Sequence, residues 1–333
     1  MTSPFFMLAR LRVVKDKLAW GLRVVGPWAA LRGAGRLSRL WLSRPARAEV
    51  HLRSGPILEF DYPHQFPPTL MLFGDFIDPE FAFLARIARP HWRIIDVGAA
   101  IGQFSMFSAV CLPDATIHAF EPSGANVATL HRNIARNGVG GRVFVHQGAL
   151  SNRRETARFT TAPKNWMSQL SDAYGEDGPG ELVPVDTLAA ALPRLGLDHV
   201  EVLKINVAGF EPSVLEGALP CLAAGKVDVL ILLLGVPSLV HYAALAGLGY
   251  RFFYYHPEQQ TLFEVTRFDA DSVLAHRPWP ARHIIAIRDA ALDALVAERV
   301  AVRPLDMRLA TPMPGRTGGE PVRPPPMGSV TRG

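Results

Sequence analysis

Asp96-Val-Gly-Ala-Ala-Ile-Gly102 decides how the rest of this 333-residue chain is read. It follows a β-type run at 93–97 and precedes a helical pattern at 103–112, which is the setting that makes a glycine-rich turn informative. Gly98 and Gly102 let a ligand approach the backbone closely, and the helix that follows offers free N–H groups. In open α/β sheets, ligands bind at the carboxyl ends of the strands, where this loop must lie. Twenty-five residues after Asp96 the next strand ends in Phe120-Glu121-Pro122, placing a carboxylate where it can accept the hydroxyls of a ribose. The Gly-x-Gly-x-x-Gly of dinucleotide sites is absent, because Ala100 stands at the second glycine. Asp96 would repel a pyrophosphate and suits a cationic ligand such as S-adenosylmethionine.

Outward from this loop, β-type runs alternate with helical patterns. Strands are expected at 93–97, 116–120, 142–146, 200–207, 227–234 and 250–255, and helices at 103–112, 123–137, 212–223 and 238–248. Such alternation predicts a parallel sheet covered on both faces, and the nearly unbroken apolar run at 227–234 fits a central strand. A helix is expected from Pro79 to Ala88, after turn signals at Pro67-Pro68 and Asp78-Pro79. Residues 151–182 read as a long polar excursion over the sheet's edge, and residues 303–333, rich in proline and glycine, as a disordered tail. Asp186 is expected to cap a short helix over 187–192.

Composition narrows the function classes. Hydrophobic residues make up 49% and charged residues 20% of the chain, which specifies a globular protein. Two cysteines, Cys111 and Cys221, exclude a disulfide scaffold and a cysteine-built zinc site, and no metal is expected. A reducing cytoplasm is the plain expectation. No apolar stretch reaches the roughly 18–20 residues of a spanning helix, and the cations of the N-terminus follow its apolar residues, the reverse of a signal peptide's order. The net charge of +5 is uneven: the first 50 residues hold ten Lys/Arg against two acids, so the body is slightly acidic. Nucleic acid is therefore not expected as a partner. Residues 5–42 read as one or two amphipathic helices interrupted at Pro27. Trp20, Trp28 and Trp41 interleaved with arginines suit an anionic membrane surface, the alternative being a helix packed on the protein's own core or on a partner chain. The expected organisation is a basic arm at 1–50, one catalytic-type domain at 51–302 and the tail at 303–333.

Four motifs in order carry a family resemblance over residues 75–260. They are Ile95-Asp-Val-Gly-Ala-Ala-Ile-Gly-Gln-Phe104, then Ala119-Phe-Glu-Pro-Ser123 with Leu130, Asn133 and Asn137, then Gly148-Ala-Leu-Ser151, then Val202-Leu-Lys-Ile-Asn-Val-Ala-Gly-Phe-Glu-Pro212 with Val214-Leu-Glu-Gly217. The chain resembles the FkbM family of S-adenosylmethionine-dependent methyltransferases. The resemblance implies a Rossmann-like class I methyltransferase fold with a seven-stranded, mostly parallel sheet and helices on both faces. It also implies methyl transfer to a hydroxyl of a small metabolite or glycan. Asp96, Gly98, Gly102 and Glu121 are expected to hold the cofactor, with Gln147 and Ala149 near the adenine, and Lys204 and Asn206 facing the substrate.

The sequence departs from the family at three positions. Ala100 replaces an asparagine of the first loop, and Asn206 and Ala208 replace two acids at the end of a later strand. Asn206 keeps the shape of aspartate without its charge and cannot serve as a base. Three readings follow. His146, His241 or His256 supplies another base; or positioning of the two reactants suffices, at a rate lower by roughly 10²–10⁴; or the fold has lost turnover and acts as a binding or membrane-peripheral accessory module. Lys204, in a buried strand, requires a specific partner.

Overall fold

The computed structural model describes residues 19, 22, 25–74, 78–112, 114–160, 169–171, 180–207, 209–232, 239–266, 283–297 and 299–305. Two expectations lie largely outside these residues: the tail beyond Leu305, and Trp20 with most of the chain before Val25.

The central sheet contains β3 (Arg93–Val97), β4 (Thr116–Glu121), β5 (Val143–Gln147), β10 (Val200–Ile205), β11 (Val227–Leu232), β12 (Tyr250–His256), β13 (Thr261–Val265), β14 (Ile284–Arg288) and β15 (Ala301–Pro304). Their order is β15-β13-β12-β14-β11-β10-β3-β4-β5. Strands β5, β4, β3, β10 and β11 are parallel neighbours, and β14 inserts antiparallel between β11 and β12. The six strands placed from the sequence are present, β14 supplies the seventh that the resemblance implies, and β13 with β15 adds an edge pair that the alternation did not predict.

Side-chain alternation splits the interior into two cores. Ile94, Val202, Val229 and Ile231 face one side, while Ile95, Val97, Leu203, Ile205, Leu230 and Leu232 face the other. The first core is closed by α3 (Pro79–Ile87), α4 (Gln103–Cys111) and α5 (Gly124–Asn137) through Phe83, Leu84, Phe107, Leu130 and Ile134. The second is closed by α6 (Leu188–Arg194), α7 (Glu211–Ala223) and α8 (Leu239–Gly247) through Leu192, Leu215, Leu222 and Leu245. Burial on both faces explains why β11 reads as an unbroken apolar run. Truncating one of these leucines to alanine costs about 2–5 kcal/mol.

The polar excursion at 151–182 contains ordered strands. β7 (Glu155–Thr160), β8 (Gln169–Ser171) and β9 (Glu181–Asp186) join β6 (Ala149–Leu150) in a four-stranded sheet. The short helix α6 is capped by Thr187, whose hydroxyl accepts the Ala190 N–H, rather than by Asp186. Asp186 instead accepts the Thr187 N–H at 2.8 Å and pairs with Arg154 and Arg194.

The front of the chain packs onto the body. Pro27 starts α1 (Pro27–Ser43) at its first turn, a position that tolerates the missing N–H. Ala30 and Leu40 of α1 enter the second and first cores, and α1 lies against α2 (Pro68–Phe73). β1 (Arg47–His51) and β2 (Ile57–Asp61) form a hairpin whose second strand is bound by α5. Asn133 accepts the Glu59 N–H at 2.7 Å and donates to the Glu59 and Ile101 carbonyls; Asn137 pairs in the same way with Ile57. Two side-chain amides thus act as a substitute neighbouring strand, and Asn133 ties the hairpin to the glycine loop.

Candidate active site

The glycine loop sits at the carboxyl ends of β3 and β4, and its shape explains its residues. Gly98 and Gly102 have φ of 77° and 95°, in the left-handed region that glycine enters at little cost. A Cβ at Gly98 would overlap the Asn206 carbonyl oxygen, and one at Gly102 would overlap Leu130. Between them Ala100 also adopts a left-handed φ of 51°. Asparagine visits that region more readily than alanine, which gives a physical reason for the residue the resemblance leads one to expect there.

Glu121 braces this loop. One carboxylate oxygen accepts the Ala100 N–H at 2.8 Å, and the other accepts the Ser123 N–H at 3.0 Å and the Asn126 amide at 3.1 Å. Burial raises its pKa, and these three donors together with Lys204 offset only part of that rise. Three accepted bonds leave about one of the carboxylate's four lone-pair positions for a ligand hydroxyl. The network continues through Asn126 to Gln65 at 3.0 Å and on to Thr129, so Glu121 is held from behind by the segment that follows β2.

Asp96 and Lys204 are cross-strand neighbours in the β3–β10 register. Lys204 Nζ donates to Asp96 at 2.8 Å and to the Gly98 carbonyl at 2.9 Å, and the Ser105 hydroxyl donates to the other Asp96 oxygen at 2.7 Å. The required partner of Lys204 is therefore Asp96. Asp96 is fully buried, so its charge is spent on this pair and on the loop it supports. The strand that follows turns sharply after Asn206. Glu211 folds the turn by accepting the Val207 and Gly209 N–H groups, each at 2.9 Å, while Ala208 lies outside the described residues.

Gln147, the last residue of β5, and Ala149, the first of β6, line a cleft of about 400 Å³ with Phe120, His146, Arg154 and Arg194. Glu181 of β9 reaches the N-terminus of α5, where it accepts the Gly124 N–H at 2.9 Å. This second carboxylate beside the Glu121 strand end was not read from the sequence.

Of the three histidines named as candidate bases, His146 stacks on His118 and Phe120 on the outer face of β4–β5. His256 accepts the Gln259 N–H at 3.4 Å, and His241 lies on α8. A fourth histidine meets the site. His283, directly before β14, places Nε2 3.3 Å from the Asn206 side-chain nitrogen and pairs Nδ1 with Glu80 of α3. His283 is 9% and Glu80 2% exposed. An amide N–H can only donate, so Nε2 is the acceptor and Nδ1 carries the proton toward Glu80. Asp78 lies in the same group, its carboxylate within 4.8 Å of the Glu80 and His283 ligand atoms.

Strand order defines the class. With β3 as the first strand of the parallel series, β5, β4, β3, β10, β11, β14 and β12 reproduce the 3-2-1-4-5-7-6 order of a Rossmann-like class I methyltransferase, including the single antiparallel strand. Residues 96–252 match the methyltransferase FkbM domain. The chain is 30% identical over 152 residues to the 31-O-demethyl-FK506 methyltransferase FkbM of Streptomyces tacrolimicus, covering 42% of this chain and 56% of that protein. It is 30% identical over 145 residues to Methyltransferase 1 of Beauveria bassiana (strain ARSEF 2860), covering 37% and 57%. The chain thus spans somewhat over half the length of these relatives. A solved structure, the precorrin-6y C5,15-methyltransferase of Geobacter metallireducens GS-15, is similar at a TM-score of 0.33 and 10% identity, covering 63% of this chain and 84% of that one. Use of S-adenosylmethionine is what the family implies.

The residues present fit that cofactor. A carboxylate at the end of β4 with one position open suits a ribose hydroxyl, and the first turn of α4 offers backbone N–H groups for a carboxylate. No acid other than the paired Asp96 and the braced Glu121 faces inward from the loop's own strands, β3 and β4.

Proposed function

We propose that the protein transfers a methyl group from S-adenosylmethionine to a hydroxyl of a small metabolite or glycan, with His283 accepting the hydroxyl's proton. The observation that carries this reading is the Glu80–His283–Asn206 arrangement at the carboxyl end of the sheet. Asn206 stands where the resemblance leads one to expect an acid. An aspartate there would accept a hydrogen bond from a protonated Nε2, whereas the asparagine donates to Nε2 and so keeps it the acceptor nitrogen of the ring, its one lone pair held by Asn206. The Asn206 bond is long, so a hydroxyl donor can replace it.

Bound at the glycine loop, the cofactor supplies an electrophilic methyl group on a sulfonium sulfur. Glu121 and the α4 N-terminus orient it. With methyl transfer to the acceptor oxygen, His283 Nε2 would take up the hydroxyl proton, and the buried Glu80 carboxylate would stabilise the resulting imidazolium. General-base help of this kind is worth roughly 10²–10⁴ in rate.

The test uses methyl-labelled S-adenosylmethionine, the full chain and a panel of polyhydroxylated metabolites and glycans. The expected product carries its label in an ether that survives mild base and acid. Label in a base-labile ester or on nitrogen would overturn O-methylation of a hydroxyl. His283→Gln is expected to slow transfer within the range above with cofactor affinity unchanged; unchanged turnover would remove His283 from the reaction.

A further inference from the structure

The outer face of α1 has no role in the site. Among the described residues, five of the eight exposed large hydrophobic side chains fall within 21 residues of sequence: Leu22, Trp28, Leu31, Trp41 and Leu42. Four of these are on α1, and Trp28 is 77% and Leu42 74% exposed. Isolated surface apolar residues need no explanation, but a cluster does.

Geometry sorts the helix into two faces. Ala30, Gly33, Leu37 and Leu40 repeat at three- and four-residue spacing and face the body. Gly33 lies so close to the Leu72 carbonyl that a Cβ would overlap it, and Arg36 donates to the Met71 carbonyl at 2.9 Å, so the helix is fixed on α2. At 3.6 residues per turn, Trp28, Leu31 and Leu42 fall within an arc of about 60° on the opposite side, with Arg32 and Arg39 along one flank. The helix carries no acid. At its end Arg44 lies 6.0 Å over the Trp41 ring, and the two line an open cleft of about 440 Å³ with Pro45, Tyr62 and Pro63.

We infer that this face docks on the surface of an anionic lipid bilayer, independently of the reaction proposed above. A convex single-helix strip of Trp and Leu enters the headgroup boundary, and the flanking arginines meet the lipid phosphates. A protein partner would have to desolvate the interleaved guanidinium groups, whereas headgroups bind them while they remain hydrated. Trp28, in the first turn of the helix, places an interfacial ring on this face.

The test is co-sedimentation of the full chain with vesicles of phosphatidylcholine plus phosphatidylglycerol and with vesicles of phosphatidylcholine alone. Binding to the anionic vesicles is expected to exceed binding to the neutral ones about tenfold or more and to weaken with added salt. Two variants leave the packed face intact: Trp28→Ser/Leu31→Ser/Leu42→Ser, and Arg32→Glu/Arg39→Glu. Each is expected to lose binding about tenfold with an unchanged circular-dichroism melt. Equal binding by variants and native chain, no sedimentation with either vesicle, or a concentration-dependent dimer that the first variant abolishes would each overturn the inference.

Discussion

Replacing Lys204 by methionine removes the only cation that, among the described residues, pairs with Asp96. Asp96 is 0% exposed, and the variant leaves its carboxylate with one hydrogen bond, from Ser105. Breaking a buried pair from one side costs about 3–5 kcal/mol, because an uncompensated charge stays in the interior. Out of a total stability of about 5–15 kcal/mol, that is a large share, and it lowers the melting temperature by roughly 6–20 °C. The reverse substitution, Asp96→Asn, is expected to cost less. Lys204 keeps the Gly98 carbonyl as acceptor, and its side chain retains 10% exposure through which water reaches the amine. The double variant Asp96→Asn/Lys204→Met removes both charges and is expected to recover most of the Lys204→Met loss. Urea unfolding followed by tryptophan fluorescence and circular dichroism measures all three, and the cycle isolates the coupling. The order native, double or Asp96→Asn, then Lys204→Met supports the pair as the brace of the loop. A Lys204→Met loss below about 1 kcal/mol, or a double variant worse than both singles, would refute the reasoning.

Other outcomes follow from single positions. Ala100→Gly relieves a left-handed alanine and is expected to stabilise the chain by up to about 1 kcal/mol, read from the urea midpoint; destabilisation would show that the loop geometry is not as described. Asn133→Ala strands the Glu59 and Ile101 backbone groups that its amide satisfies and is expected to cost about 1–3 kcal/mol, with hydrogen exchange rising in β2. His118 has its pKa lowered from 6.5 to about 4, first by burial and then by the neighbouring His146. The neutral ring is the folded form, so its contribution is complete above pH 6.5 and is lost as pH falls toward 4, by at most about 3 kcal/mol. His118→Gln is expected to flatten that part of the stability–pH profile, and an unchanged profile would place the acid sensitivity elsewhere.

What the sequence revealed tracks how local each cause is. The glycine loop, the strand-ending Glu121 and the helices at 103–112 and 123–137 follow from short-range pattern, and the observed elements differ from them by a residue or so at the ends. The demand that Lys204 have a partner was also readable, because a buried lysine is costly wherever it occurs. That its partner is Asp96 depends on register between strands 108 residues apart, and no local pattern encodes that. Strand β14 and His283 escaped for the same reason. Ile284-Ile-Ala-Ile287 is a short apolar run that becomes a central strand only because it slots between β11 and β12. Glu80 lies in the first turn of its helix, where an acid needs no tertiary partner, and that its carboxylate turns inward to His283 follows only from the packing of the helix against the sheet. The small sheet of β6–β9 was hidden by a polar composition that reads as loop. Asn133 and Asn137 entered as family residues, and only the structure shows that their amides take the place of a strand.

The most direct test is calorimetric titration of S-adenosylmethionine and its demethylated product into the full chain. Saturable binding of both is expected, lost or weakened at least about tenfold in Glu121→Gln while the thermal melt shows a folded protein. A folded native chain that gives no heat with either compound at millimolar concentration would contradict a cofactor site at the glycine loop, and with it the methyl-transfer reading.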